Sequence, residues 1–152
     1  LHNQRRRQRQ MCIRDRDNGE YVWQAPAGDD VCLGRPGCYP GYSAAISVTS
    51  DYVLAGSNEG WLRAFDIDNG EVLWEFDTTR SVTAVDGRLA QGGSIGGGQA
   101  PLIVGDRLIV NSGYAFAGKM PGNALLVLKL PASDAQVAAD FGAQVLSESA
   151  AK

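Results

Sequence analysis

Histidine is nearly missing from this 152-residue sequence: the single copy, His2, lies in an arginine-rich head. A Ser–His–Asp triad or an H-E-x-x-H zinc site would have to come from a part of the protein outside this chain. Cysteine is scarce as well, with Cys12, Cys32 and Cys38 only, so a four-ligand zinc centre is not available. No apolar run approaches the roughly 18 residues of a membrane span; "ALLVLKL" (124–130) is strand-sized. The glycines form neither a G-x-G-x-x-G nor a G-K-[ST] pattern, which removes the Rossmann and phosphate-loop fingerprints.

Glycine itself is abundant, at 19 residues beside 44% apolar and 20% charged. Many glycines between short apolar runs imply frequent turns and short strands, hence an all-β chain. The net charge of −3 hides an asymmetry: residues 1–16 hold six arginines and one aspartate, leaving an acidic body. An acidic body argues against a nucleic-acid partner, because phosphate neutralisation is what drives such binding. The head "LHNQRRRQRQMCIRDR" reads in one way as a basic arm for nucleic acid or anionic lipid. It lacks the apolar stretch of a secretory signal. The string "RRRQRQMCIRDR" also resembles translated library-adapter sequence found at the ends of metagenomic reading frames. Residues 1–16 are accordingly expected to be a non-native, disordered head, with the natural chain beginning near Asp17 as a fragment.

The body carries a repeated phrase. "RDRDNGEYVW" (14–23) and "AFDIDNGEVLW" (64–74) each turn on Asn-Gly and end in tryptophan, with Trp23 and Trp74 separated by 51 positions. That spacing is close to one blade of a β-propeller. Between the tryptophans lie strand-like runs at 43–50, 52–57, 61–67 and 71–78, joined by Ser50-Asp51, Asn58-Glu59-Gly60 and Asp68-Asn69-Gly70. Asn-Gly supplies the left-handed conformations a tight hairpin needs. Four strands and three turns make one blade. Runs at 100–106, 107–114 and 123–130 give three strands of the next blade, and 19–27 gives the last strand of the previous one. Blade junctions fall near 28–42 and 79–99. Val137, Phe141 and Val145 follow Ser133 at helical spacing, so the tail 131–152 reads as a helix or a loose end. A blade has two apolar faces and needs neighbours to cover them. The chain is therefore expected to depend on further blades, to be inactive alone and to associate.

The phrase also resembles the repeat A-x-D-x-x-T-G-x-x-x-W of quinoprotein propellers, which bind pyrroloquinoline quinone (PQQ). Here it reads Ala64, Asp66, Gly70 and Trp74, with Asn69 where threonine is usual. The resemblance spreads over about residues 17–130. "PGC-x-PG-x-SA", "GS-x-x-GWLRA-F-D", "GGS-x-GG" and "NSGYAFAGKMPGN-x-LL" are similar to the C-terminal end of polyvinyl-alcohol-dehydrogenase-like quinoproteins. The resemblance implies roughly two blades of an eight-bladed propeller, with PQQ and Ca²⁺ near its axis. It implies a periplasmic dehydrogenase that oxidises a small or polymeric alcohol to a carbonyl and passes electrons to cytochrome c or a similar acceptor. A non-enzymatic propeller of the outer-membrane assembly type is the second reading.

The cofactor would carry the redox chemistry. No catalytic base and no metal ligand can be placed on a matching motif in this chain. Two loops lead into innermost strands, 37–44 and 92–100. Gly93, Ser94, Gly96, Gly97, Gly98, Tyr42 and Ser43 are the candidate cofactor contacts, since glycines admit close approach and offer N–H groups to carboxylates. Small residues also pack where a ring of blades narrows, so both readings stand. Asp66, Gly70, Trp74, Gly19 and Trp23 are read as blade-docking residues, the indoles contributing packing area. Cys32 and Cys38 fit equally a local disulfide, which would suit an oxidising compartment, and two free thiols.

Overall fold

The phrase Asp-x-Asp-Asn-Gly-Glu closes two hairpins with one set of bonds. In the computed structural model, which describes residues 10–27, 32 and 34–130, the Asp66 carboxylate accepts the N–H groups of Asp68 and Asn69. The Gly70 N–H donates to the Asp66 carbonyl, and the Asn69 side-chain oxygen accepts the Glu71 N–H. Asp15, Asp17, Asn18, Gly19 and Glu20 repeat these bonds one for one. Both glycines are left-handed, at φ +73° and +76°. A short acidic side chain that bonds its own following amides is what makes such a turn local and reusable.

The first hairpin joins β1 (Gln10–Arg14) to β2 (Tyr21–Pro26). This corrects the expectation of a disordered head for residues 10–14. Met11 and Ile13 alternate toward the protein opposite Ala25 and Trp23, and an apolar alternation beside a ready-made turn is sufficient to pair a strand. Residues 1–9 lie outside the described residues, and so does the tail read as helix or loose end.

A four-stranded antiparallel meander follows: β3 (Ser47–Val48), β4 (Tyr52–Gly56), β5 (Trp61–Asp66) and β6 (Val72–Asp77). This is the complete blade read from the sequence. Its central strands are covered on both faces. Leu54, Leu62, Ala64 and Trp74 face one way, packing with Ile95, Leu108 and Val110. Val53, Ala55 and Phe65 face the other way, against Met11, Trp23 and Ala25. Two cores, one per face, bind three sheets into a stack, as expected of neighbouring blades. The third sheet contains β9 (Leu102–Val104), β10 (Arg107–Ser112) and β11 (Ala124–Lys129), in the order β11-β10-β9. Its far face exposes Leu102, Val104, Leu125 and Val127.

Two details differ from the sequence reading. The innermost strands, Ser47–Val48 and Leu102–Val104, are much shorter than the runs 43–50 and 100–106. The connection 79–99 also contains a small hairpin, β7 (Ser81–Thr83) with β8 (Leu89–Gln91). Asp86-Gly87 turns it, with the Asp86 carboxylate accepting from Arg88. Among the described residues there is no α-helix, only one 3-10 turn at Phe116–Gly118.

Candidate functional site

Loops from all three segments of the second and third sheets meet at the end of the stack opposite the Asp66 turn. Ser94 ties them together and is fully buried. Its hydroxyl donates to the Asn58 carbonyl and accepts the Met120 N–H. Its own N–H donates to the Met120 carbonyl, while its carbonyl accepts the N–H groups of Gly113 and Tyr114. Gly93 is held in the same way, its N–H donating to the Ser112 hydroxyl at 2.9 Å. Gly93 and Ser94 thus serve the joint between loops, with every polar group of Ser94 satisfied internally.

Gly96, Gly97 and Gly98 lie differently. They line a cleft of about 770 Å³ together with Asn111, Tyr114 and Leu125. A Cβ on Gly96 would stand 2.6 Å from the Tyr114 ring, so only glycine fits beneath that ring. Ser43 lies beside Gly96, its hydroxyl 3.1 Å from where a Cβ on that glycine would stand; the hydroxyl donates to the Asn58 side chain at 2.6 Å and accepts from the Lys119 ammonium at 3.1 Å. Four of the seven candidate contacts, Gly96, Gly97, Gly98 and Ser43, therefore gather at one place.

Tyr42 belongs to a separate network, whose other members were not singled out in the sequence. Glu59 is wholly buried, and its carboxylate accepts from the Gly41 N–H and from Arg63, each at 3.1 Å. Arg63 also donates to Glu75 and to the Tyr42 hydroxyl. Arg63 is raised above its ordinary pKa: burial opposes its charge, but Tyr42, Glu59 and Glu75 together outweigh that. Burial pushes the Tyr42 hydroxyl above its ordinary value, Arg63 offsetting part of the rise. A raised folded pKa leaves stability intact below the unfolded tyrosine value of about 10 and removes it as pH climbs through the folded value. An ultraviolet absorbance titration should therefore show one tyrosine ionising late. In Tyr42→Phe that late step should vanish and alkaline loss of stability should lessen; an unchanged titration contradicts this placement.

Cys32 and Cys38 are joined, with Cα atoms 5.5 Å apart. Their loop packs on the segment carrying Lys119. Among the described residues no group of three His, Cys, Asp or Glu side chains could hold a metal ion. No helix there is long and apolar enough to cross a membrane, which leaves a β-barrel unaddressed.

No family model matches the chain. Individual proteins do. A polyvinylalcohol dehydrogenase of Pseudomonas sp is 39% identical over 105 residues, covering 68% of this chain and 16% of the relative. The 1-butanol dehydrogenase (quinone) of Thauera butanivorans is 32% identical over 106 residues, covering 65% of this chain and 16% of that protein. The chain is a homologue of the quinoprotein alcohol dehydrogenases. It spans about one-sixth of the length of these quinoprotein relatives. Solved propellers align less closely. Quinohemoprotein alcohol dehydrogenase from Comamonas testosteroni gives a TM-score of 0.49 at 21% identity, over 66% of this chain and 14% of that one. BamB from Moraxella catarrhalis gives 0.49 at 20%, over 81% of this chain and 35% of that one.

Proposed function

We propose that this chain forms part of a periplasmic PQQ-dependent alcohol dehydrogenase, which oxidises an alcohol to a carbonyl and delivers electrons to a cytochrome-type acceptor. The observation that carries this reading is the 39% identity to a polyvinylalcohol dehydrogenase over 105 residues. A polymeric or secondary alcohol is the matching substrate class. The disulfide between Cys32 and Cys38 agrees with an oxidising compartment.

The cleft supports one edge of a cofactor site. Its volume is ordinary for a small-molecule pocket, about 300–1,000 Å³, and glycines bring backbone close to whatever occupies it. Gly96, Gly97, Gly98 and Ser43 would face the cofactor's carboxylates, while the Ser94 joint holds their backbone in place. When bound, the quinone supplies two-electron acceptance from the alcohol. No residue here is assigned to Ca²⁺, because the described residues contain no suitable cluster.

Calorimetry of the full-length protein carrying this chain decides the matter. PQQ added in the presence of Ca²⁺ should give a saturable heat of binding. No heat of binding sinks the dehydrogenase reading and leaves a propeller scaffold in its place.

A further inference from the structure

Residues 34–46 contain no strand, yet their backbone is held at several separate points. A bond between Cys32 and Cys38 closes the start of the segment. Within it, the Arg35 N–H donates to the Cys32 carbonyl and the Cys38 N–H to the Arg35 carbonyl, at 2.8 and 3.2 Å. The Arg35 guanidinium donates to the Thr79 hydroxyl at 3.1 Å. Gly37, left-handed at φ +74°, lies against another loop: a Cβ there would stand 2.9 Å from the Gly118 carbonyl oxygen and 3.1 Å from the Met120 nitrogen. Further on, the Gly41 carbonyl accepts the Asn58 N–H at 2.8 Å.

Two of these contacts lead to the same residue. The Met120 N–H donates to the Ser94 hydroxyl and the Met120 carbonyl accepts the Ser94 N–H, each at 3.0 Å. The Asn58 carbonyl accepts the Ser94 hydroxyl. Ser94 is therefore gripped by two segments that the disulfide-closed stretch touches directly. What Ser94 controls is the cleft. Its carbonyl holds the Tyr114 N–H at 2.8 Å, and the chain runs on from it into Ile95 and Gly96; all three line the cleft.

No apolar core supports this arrangement. Cys32, Gly37, Cys38, Ser94 and Met120 belong to neither of the two cores that hold the sheets together. A segment without ladder bonds keeps one conformation only if something offsets the entropy of its backbone. A covalent cross-link does so by removing alternatives from the opened chain.

We infer that the loop closed by Cys32 and Cys38 is a clasp that positions the cleft: it fixes Met120 and Asn58, these fix Ser94, and Ser94 fixes Tyr114 and Gly96. The sheets do not need it; the shape of the cleft does. The clasp rests on the cofactor reading only for the choice of PQQ as ligand.

Two variants of the full-length protein test it. Cys32→Ala with Cys38→Ala opens the clasp, whereas Gly37→Ala pushes on Gly118 with the disulfide intact. Hydrogen exchange without ligand should show about tenfold less protection at Gly113, Tyr114 and Met120 in both variants, with β4 and β5 unchanged. PQQ affinity should fall about tenfold, because the ligand then has to order the cleft as it binds. Unchanged exchange at those three amides overturns the clasp. Equal loss of protection in β4 and β5, or a cysteine variant that does not fold, overturns it too, since the sheets would then need the bridge. Faster exchange with PQQ affinity unaltered also overturns it and spares the cofactor reading. Faster exchange confined to those amides, in a protein whose unaltered form does not bind PQQ, upholds the clasp and overturns the cofactor reading.

Discussion

Glu59→Ala is expected to destabilise the chain by about 3–5 kcal/mol, the usual cost of breaking a buried ion pair by deleting one partner. The size follows from what is left behind. Arg63 keeps its buried charge, loses its contact with a fully buried carboxylate, and retains the neutral Tyr42 hydroxyl and one carboxylate, Glu75, whose side chain is 48% exposed. The Gly41 N–H loses its acceptor at the same time. Glu75→Ala is the control. Glu75 is about half exposed and Arg63 keeps its buried contact with Glu59, so the loss should cost no more than about 1 kcal/mol. Urea unfolding followed by tryptophan fluorescence reads both. Equal midpoints for the two variants would show that the Glu59 contact contributes nothing special.

The second large effect concerns Trp23. Its ring lies on Gly70, where a Cβ would fall 2.6 Å from the indole, and its N–H donates to the Ile67 carbonyl at 2.7 Å. It also stacks on Phe65, with ring centroids 5.8 Å apart. Trp23→Ala should cost about 3–5 kcal/mol, as large-to-small changes of aromatic core residues do. Gly70→Ala should cost about 2 kcal/mol or more, since it strains a left-handed position and displaces the ring. Because both changes break one contact, their effects should fall well short of additive in the double variant. Additive losses would mean that the ring and the turn act independently.

How much of this could be read beforehand depends on how local each signal is. The second hairpin was legible from Asp66-Ile67-Asp68-Asn69-Gly70, because the turn is built entirely from its own residues. The same turn at Asp15 is as legible, but the strand that leads into it, Gln10–Arg14, is not, since it lies in a head whose composition suggests no structure. Asp86-Gly87 carried the hairpin signal too, but it was lost within a glycine-rich junction. The network of Glu59, Arg63, Tyr42 and Glu75 was not legible, because it draws on two strands, a turn and a loop that only folding assembles. Tyr42 drew attention as a neighbour of glycine and serine, and the structure gives its hydroxyl to Arg63 instead.

The turn at Gly70 has a further consequence for how such a chain is made. Trp23 leaves the ribosome first, yet the surface it rests on, including the Ile67 carbonyl 44 positions later, does not yet exist. The Trp23 unit is therefore finished by the synthesis of its successor, and translation halted before Ile67 leaves this indole without its seat.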